Sequence, residues 1–260
     1  MLIFGLQTRR RMKMKAYRAM LKTEFKLSLR GIDMFIFAIC MPIVVTILLG
    51  SMFSNKPAFD GASYTFFEQS FGAISTIAIC AGGVMGLPLV ISDYRNRKIL
   101  KRLQVTPSSP TLILAVQVSI YTIYSIASLL LVYATAKIFF HYEMGGSLLY
   151  FICSYLLVML SMFSIGMMVG GIAKDMKSAS VIASLLYFPM LLFSGATLPY
   201  EVMPSPLQKV ADFLPLTQGI KLIKASALGL PINDVVLPII LMILLSIICI
   251  GISIRFFKWE

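Results

Sequence analysis

The side chains able to do acid–base or covalent chemistry are few in this sequence, and none stands in a catalytic pattern. The single histidine, His141, lies two residues before Glu143. With Glu201 these are the only materials for a general acid or base near a membrane interface. Serines are frequent inside apolar stretches (Ser75, Ser161, Ser164, Ser184, Ser246), but no His or Lys stands there to activate them. A hydroxyl in such a stretch more often bonds the carbonyl four residues back or a neighbouring helix. Cys40, Cys80, Cys153 and Cys249 all lie in apolar runs with no CxxC pair. They read as small buried hydrophobes rather than disulfide partners or metal ligands. No GxxxxGK[ST] occurs, so the phosphate-cradling loop of a nucleotide site is missing. The chain is therefore expected to bind no cofactor or metal itself. A lipid-modifying enzyme would have little to work with.

Those residues must be positioned by apolar elements. The sequence is 58% hydrophobic and 13% charged, against roughly 25% charged in a soluble domain. Apolar stretches of about 20 residues recur, each able to cross roughly 30 Å of hydrocarbon as a helix. They are continuous rather than alternating, which selects helices over a membrane barrel. The expected fold is an all-α integral membrane protein with spans at about 34–53, 71–92, 111–136, 148–173, 179–198 and 234–254. Residues 1–33 precede the spans, and 255–260 form a tail. The net charge of +12 points to membrane topology and not to nucleic acid, because the bases sit between spans. Of 23 Lys and Arg, 18 lie in the segments that are cytoplasmic if the N-terminus is cytoplasmic. The positive-inside rule then places both termini in the cytoplasm. Met1 to Leu6 is too short for a signal-peptide core and runs into Arg9, Arg10 and Arg11. Met14 opens a more ordinary N-terminus, so residues 1–13 read as a start-site extension or a cloning remnant.

Three polar or broken segments stand out. Within 15–30, Tyr17, Leu21, Phe25 and Leu29 recur every fourth residue beside a basic stripe of Arg18, Lys22, Lys26 and Arg30. That pattern predicts an amphipathic helix lying in the headgroup boundary, or else a generic basic juxtamembrane helix. In 93–110, Leu100 and Leu103 share a side of a short helix with Asn96 and Ile99, and Pro107 and Pro110 end it. Such a helix suits docking on a protein partner; the alternative is a loop whose bases only set topology. In 199–233, two short apolar helices broken at Leu214-Pro215-Leu216-Thr217 are expected to dip into the outer leaflet. The spans carry almost no ionisable residues, so an energy source for transport must lie in another chain. Gly82 with Gly86 and Gly166 with Gly170 are GxxxG pairs, expected to tighten packing within one subunit more than to make a dimer seam. Pro42, Pro88, Pro189 and Pro238 should kink spans or mark their ends.

Taken together, these segments resemble the ABC-2 type transporter permeases, the membrane subunits of ATP-driven exporters. The amphipathic helix resembles the family's connecting helix. Lys98-Ile99-Leu100-Lys101-Arg102-Leu103 through Thr106-Pro107 resembles its cytoplasmic coupling region. Ser194-Gly195, Leu198-Pro199, Met203-Pro204 and Phe213-Leu214-Pro215-Leu216-Thr217 resemble its external motif before the last span. Many members carry an acidic residue, Arg-Glu and a glycine in the coupling region. Here Asp93 and Arg95 or Arg97 correspond loosely, and the glycine is missing.

The resemblance implies a separate ATP-binding subunit in two copies, holding ATP and Mg, and a second permease, identical or related. It implies that Tyr94, Arg97, Ile99, Leu100, Arg102 and Leu103 couple to that ATPase. It also places a pathway on the second and fifth spans, where Ser75, Ile79, Tyr187 and Leu191 are candidates. The expected function is outward movement of an amphipathic drug, antimicrobial peptide or lipid-linked molecule across a bacterial cell membrane, an efflux role of the kind that gives antibiotic resistance. Alternatives are a membrane-embedded lipid-modifying enzyme or a passive assembly subunit.

Overall fold

The computed structural model describes residues 2–59, 61–99, 110–197, 200 and 203–256. Side chains are described from residue 14 onward, those of 32, 33, 110, 111 and 234 excepted. Among these residues the regular structure is helical, apart from an isolated bridge between Pro57 and Thr65. Six helices are long and apolar enough to cross a membrane: Ile36–Phe53, Phe66–Asn96, Leu112–Phe140, Leu148–Ile172, Met176–Phe193 and Val236–Phe256. A helix over Leu2–Ser28 precedes them. Two short helices, Ser205–Ala211 and Pro215–Leu228, lie between the fifth and sixth spans. The connections with most of the bases lie at one end of the bundle, called here the base-rich end; the other is the base-poor end.

The second span forms the centre. Of its most apolar stretch 78% is buried, against 28% for the first, fifth and sixth spans. Its start is set locally: Thr65 accepts from the Glu68 amide at 3.2 Å, and the Glu68 carboxylate accepts from the Thr65 amide at 2.6 Å. This is a reciprocal cap of the first turn. It begins at Phe66, five residues before the expected boundary, and runs on to Asn96. Asp175 and Ser178 make the same arrangement at the start of the fifth span.

Proline shapes the spans through the turn before it. π-helical segments over Ile36–Cys40 and Ala81–Gly86 directly precede the turns containing Pro42 and Pro88. Proline has no N–H to donate and its ring crowds the carbonyl four residues back, so a widened turn accommodates it. Pro189 sits inside the fifth span.

Both glycine pairs are used within the subunit. A Cβ on Gly166 would stand 1.8 Å from the Gly83 carbonyl oxygen, so the second and fourth spans touch backbone to backbone there. Gly170 packs on Ile91 of the same span, while Gly82 and Gly86 receive the Tyr121 ring. Polar side chains join other spans: the Ser161 and Ser246 hydroxyls lie 2.8 Å apart and share the Met242 carbonyl as acceptor. Near the base-poor end, Phe71 stacks on Tyr142 at 4.3 Å with Phe67, Tyr133 and Phe151 around them.

The break between the two short helices falls at Asp212-Phe213-Leu214, with Pro215 opening the second helix. That is a little earlier than the sequence suggests, because proline is favoured in a first helical turn. Most of Pro215–Leu228 is buried, and Gly229 (φ 72) closes it in the left-handed conformation that glycine adopts without strain.

Candidate coupling surface and apolar cleft

At the base-rich end the N-terminal helix is fastened to protein. Tyr17, Leu21 and Phe25 pack on a cluster formed by Ala38, Ile39, Ala78, Val116, Ile120 and Tyr124. Tyr17 Oη lies 2.6 Å from Ser119 Oγ, and Ser28 donates to Tyr124 Oη at 3.2 Å. Leu29, the fourth member of the stripe, is 55% exposed, as are Arg18, Lys22, Lys26 and Arg30. The stripe that the spacing aimed at lipid is thus largely turned onto the first and third spans.

The second span delivers the coupling candidates to the same place. The Tyr94 hydroxyl donates to the Glu24 carboxylate. Gln117 Nε2 reaches the same carboxylate at 3.1 Å and Tyr94 Oη at 3.0 Å. One polar knot therefore ties the N-terminal helix, the second span and the third. Arg97 pairs with Asp93 at 2.9 Å on an exposed face, a contact of little energetic weight. Lys98 follows with φ 56, where a residue with a Cβ is strained and glycine is not. The glycine that this sequence lacks would suit that backbone. Ile99 is half-buried. Leu100, Arg102 and Leu103 lie outside the described residues.

Arg95, which the sequence offered only as a loose alternative to Arg97, is the better placed of the two. It is 7% exposed. Its guanidinium donates to the carbonyls of Gly170 at 2.8 Å, Gly171 at 3.3 Å and Ala173. These are among the last carbonyls of the fourth span, which have no helical partner of their own. A cation there also meets the negative end of the helix dipole. The signal was present in the spacing: Leu87, Ile91 and Arg95 repeat every fourth residue and all three are buried.

Deeper in the bundle, a cleft of about 330 Å³ opens between the first, second, third and fifth spans. Met34, Met85, Val90, Tyr121 and Tyr187 line it, and Phe37 and Phe188 form half-exposed lips. The buried Tyr187 hydroxyl has no hydrogen-bond partner among the described residues. Of the other pathway candidates, Ser75 donates to its own helix at the Gly72 carbonyl (2.7 Å). Ile79 and Leu191 belong to the buried core. The structure thus brings Tyr187 to the cleft and leaves those three inside the subunit. His141 and Glu143 are exposed, and Glu201 lies outside the described residues.

Six membrane-length helices define a multi-pass membrane protein, with an apolar cleft between four of them. Residues 15–228 match the family described as ABC-2 type transporter, and the chain belongs to that family. Membership implies partnering with an ATP-binding ABC subunit, and the chain is a multi-pass protein of the bacterial cell membrane. Nodulation protein J of Neorhizobium galegae is 27% identical over 210 residues, covering 80% of this chain and 76% of that protein. Nodulation protein J of Rhizobium leguminosarum bv. viciae is 36% identical over 97 residues, 37% of this chain and 35% of the relative. Its bv. trifolii counterpart is 36% identical over 94 residues, 36% of each chain.

Proposed function

We propose that the chain is the membrane half of an exporter that moves amphipathic molecules outward, driven by ATP hydrolysed in two partner subunits. The observation that carries the cargo class is the cleft between the second and fifth spans. It is walled by Met and aromatic side chains and carries the Tyr187 hydroxyl, which has no partner among the described residues. Polarisable, adaptable Met suits loosely specific apolar binding, and the hydroxyl offers one directed contact. A drug, an antimicrobial peptide or a lipid-linked molecule has that make-up. The 18-to-5 distribution of bases supports placing the base-rich end in the cytoplasm. ATP and Mg would be held by the partners, and a second permease would close a shared pathway. Residues 93–103 and the N-terminal helix would pass on the approach of the ATPases. Arg95 then links the second span to the end of the fourth, so a push on the loop reaches both.

The test is ATPase stimulation by a fluorescent amphipathic dye, with the full transporter in proteoliposomes. Met85→Trp, which fills the cleft, should abolish stimulation. Tyr187→Phe should raise the half-stimulating dye concentration by roughly five-fold, about one neutral hydrogen bond. Unchanged stimulation in both variants would exclude the cleft as the cargo site.

A further inference from the structure

The helix Leu2–Ser28 turns its apolar stripe onto the protein, and that decides where its bases point. Lys15, Arg18, Lys22 and Lys26 fall within roughly 80° of arc around the helix, and all four are exposed. Arg30, just past the helix end, is exposed with them. Glu24, the one acid of the helix, lies on the opposite side, bonded to Tyr94 and Gln117. None of the five bases has an ion pair or hydrogen bond among the described residues. Met14 and Leu29 stand beside them, 54% and 55% exposed. From Lys15 to Lys26 the helix therefore presents about 16 Å of unpaired positive charge, with apolar side chains at its edge.

The spans set the depth of this surface. Leu112–Phe140 has 29 residues, of which about 20 suffice to cross the hydrocarbon. Counted from Phe140 at the base-poor end, those residues finish near Tyr121. Tyr17 meets Ser119 and Ser28 meets Tyr124, on either side of that level. Phe35, Ile36 and Phe37 are 45–49% exposed, so an apolar outer surface begins within a few residues of Arg30. We infer that the basic stripe binds the anionic headgroups of the leaflet at the base-rich end, holding the helix to the bilayer on the side away from the protein. Lys and Arg at that depth reach lipid phosphates while their stems lie along the acyl boundary. An acidic protein surface is the competing partner. The exposed Met14 and Leu29, and the apolar start of the first span so close by, favour lipid, which offers charge and hydrocarbon together. The inference needs only membrane insertion and is independent of the exporter reading.

The test places the full-length chain in phosphatidylcholine vesicles with spin-labelled phosphatidylglycerol or spin-labelled phosphatidylcholine as the probe. The motionally restricted fraction of each probe reports how much lipid the protein surface holds. Phosphatidylglycerol should be preferred roughly five-fold, the weight of one base at an anionic surface. The preference should fall towards unity in 1 M salt, where charges are screened within about 3 Å. Arg18→Gln, Lys22→Gln and Lys26→Gln combined should remove more than half of it. That variant should unfold at the wild-type temperature in detergent, because those side chains bond to nothing among the described residues. Lys174→Gln, Lys177→Gln and Arg255→Gln combined remove as many exposed bases at the same end, and should remove less than a quarter. No preference in the wild type, or an equal loss in the second variant, would overturn the inference. An unchanged preference in the stripe variant would overturn it too, and loss of a co-expressed ATPase by that variant would then assign the stripe to a protein.

Discussion

Arg95 turns a helix end into a joint. One planar guanidinium reaches three carbonyls of the fourth span, a geometry that a lysine ammonium on a single stem does not reproduce. Arg95→Ala should lower stability by about 2 kcal/mol, measured by thermal unfolding in detergent, and Arg95→Lys should restore less than half. A variant as stable as the wild type would mean that the carbonyls are satisfied by water. Three positions later, Lys98 holds a positive φ. Lys98→Gly should therefore stabilise the chain by about 1 kcal/mol in the same assay, and Lys98→Val should not. At this scale the spacing of Leu87, Ile91 and Arg95 is in the sequence, but their burial and the acceptors are not. Those carbonyls come from a helix 75 residues away in sequence, and no local pattern announces them.

At the scale of elements, the spans were legible because their signal is length and apolarity, which need no partner to read. The glycine pairs were legible too, as close packing inside the subunit. Gly166→Ala drives a methyl into the Gly83 carbonyl and should cost about 2 kcal/mol or more. Gly251→Ala, with nothing within 4 Å of the added methyl, should be neutral or stabilising; unfolding of the two purified variants compares them directly. What stayed hidden were features set by tertiary contact. The stripe Tyr17, Leu21, Phe25 looks the same whether it meets lipid or another helix, because both are apolar. Only the Tyr17–Ser119 and Glu24–Tyr94–Gln117 contacts decide for protein. The π-helical turns before Pro42 and Pro88 were likewise implied by proline only as kinks of unspecified form.

For the whole molecule, the second span is both the most buried of the six spans and the one that runs into the proposed coupling segment. On that proposal, a displacement of residues 93–99 would enter at the centre of the bundle. It is shared with the fourth span through Arg95 and with the N-terminal helix through Tyr94 and Glu24. The candidate site was half legible for the same reason: the resemblance pointed to Tyr94, Arg97 and Ile99 as coupling candidates, whereas the contacts of Arg95 and the cleft needed the fold. The proposed motor is another chain that grips this loop. The most direct measurement is recovery of an ABC-type ATPase, co-expressed from the neighbouring gene, with the tagged full-length chain from solubilised membranes. The wild type should retain the ATPase, and Leu103→Asp should lower its recovery at least ten-fold while the amount of inserted chain is unchanged. Equal recovery with Leu103→Asp, or no ATPase retained by the wild type, would contradict it.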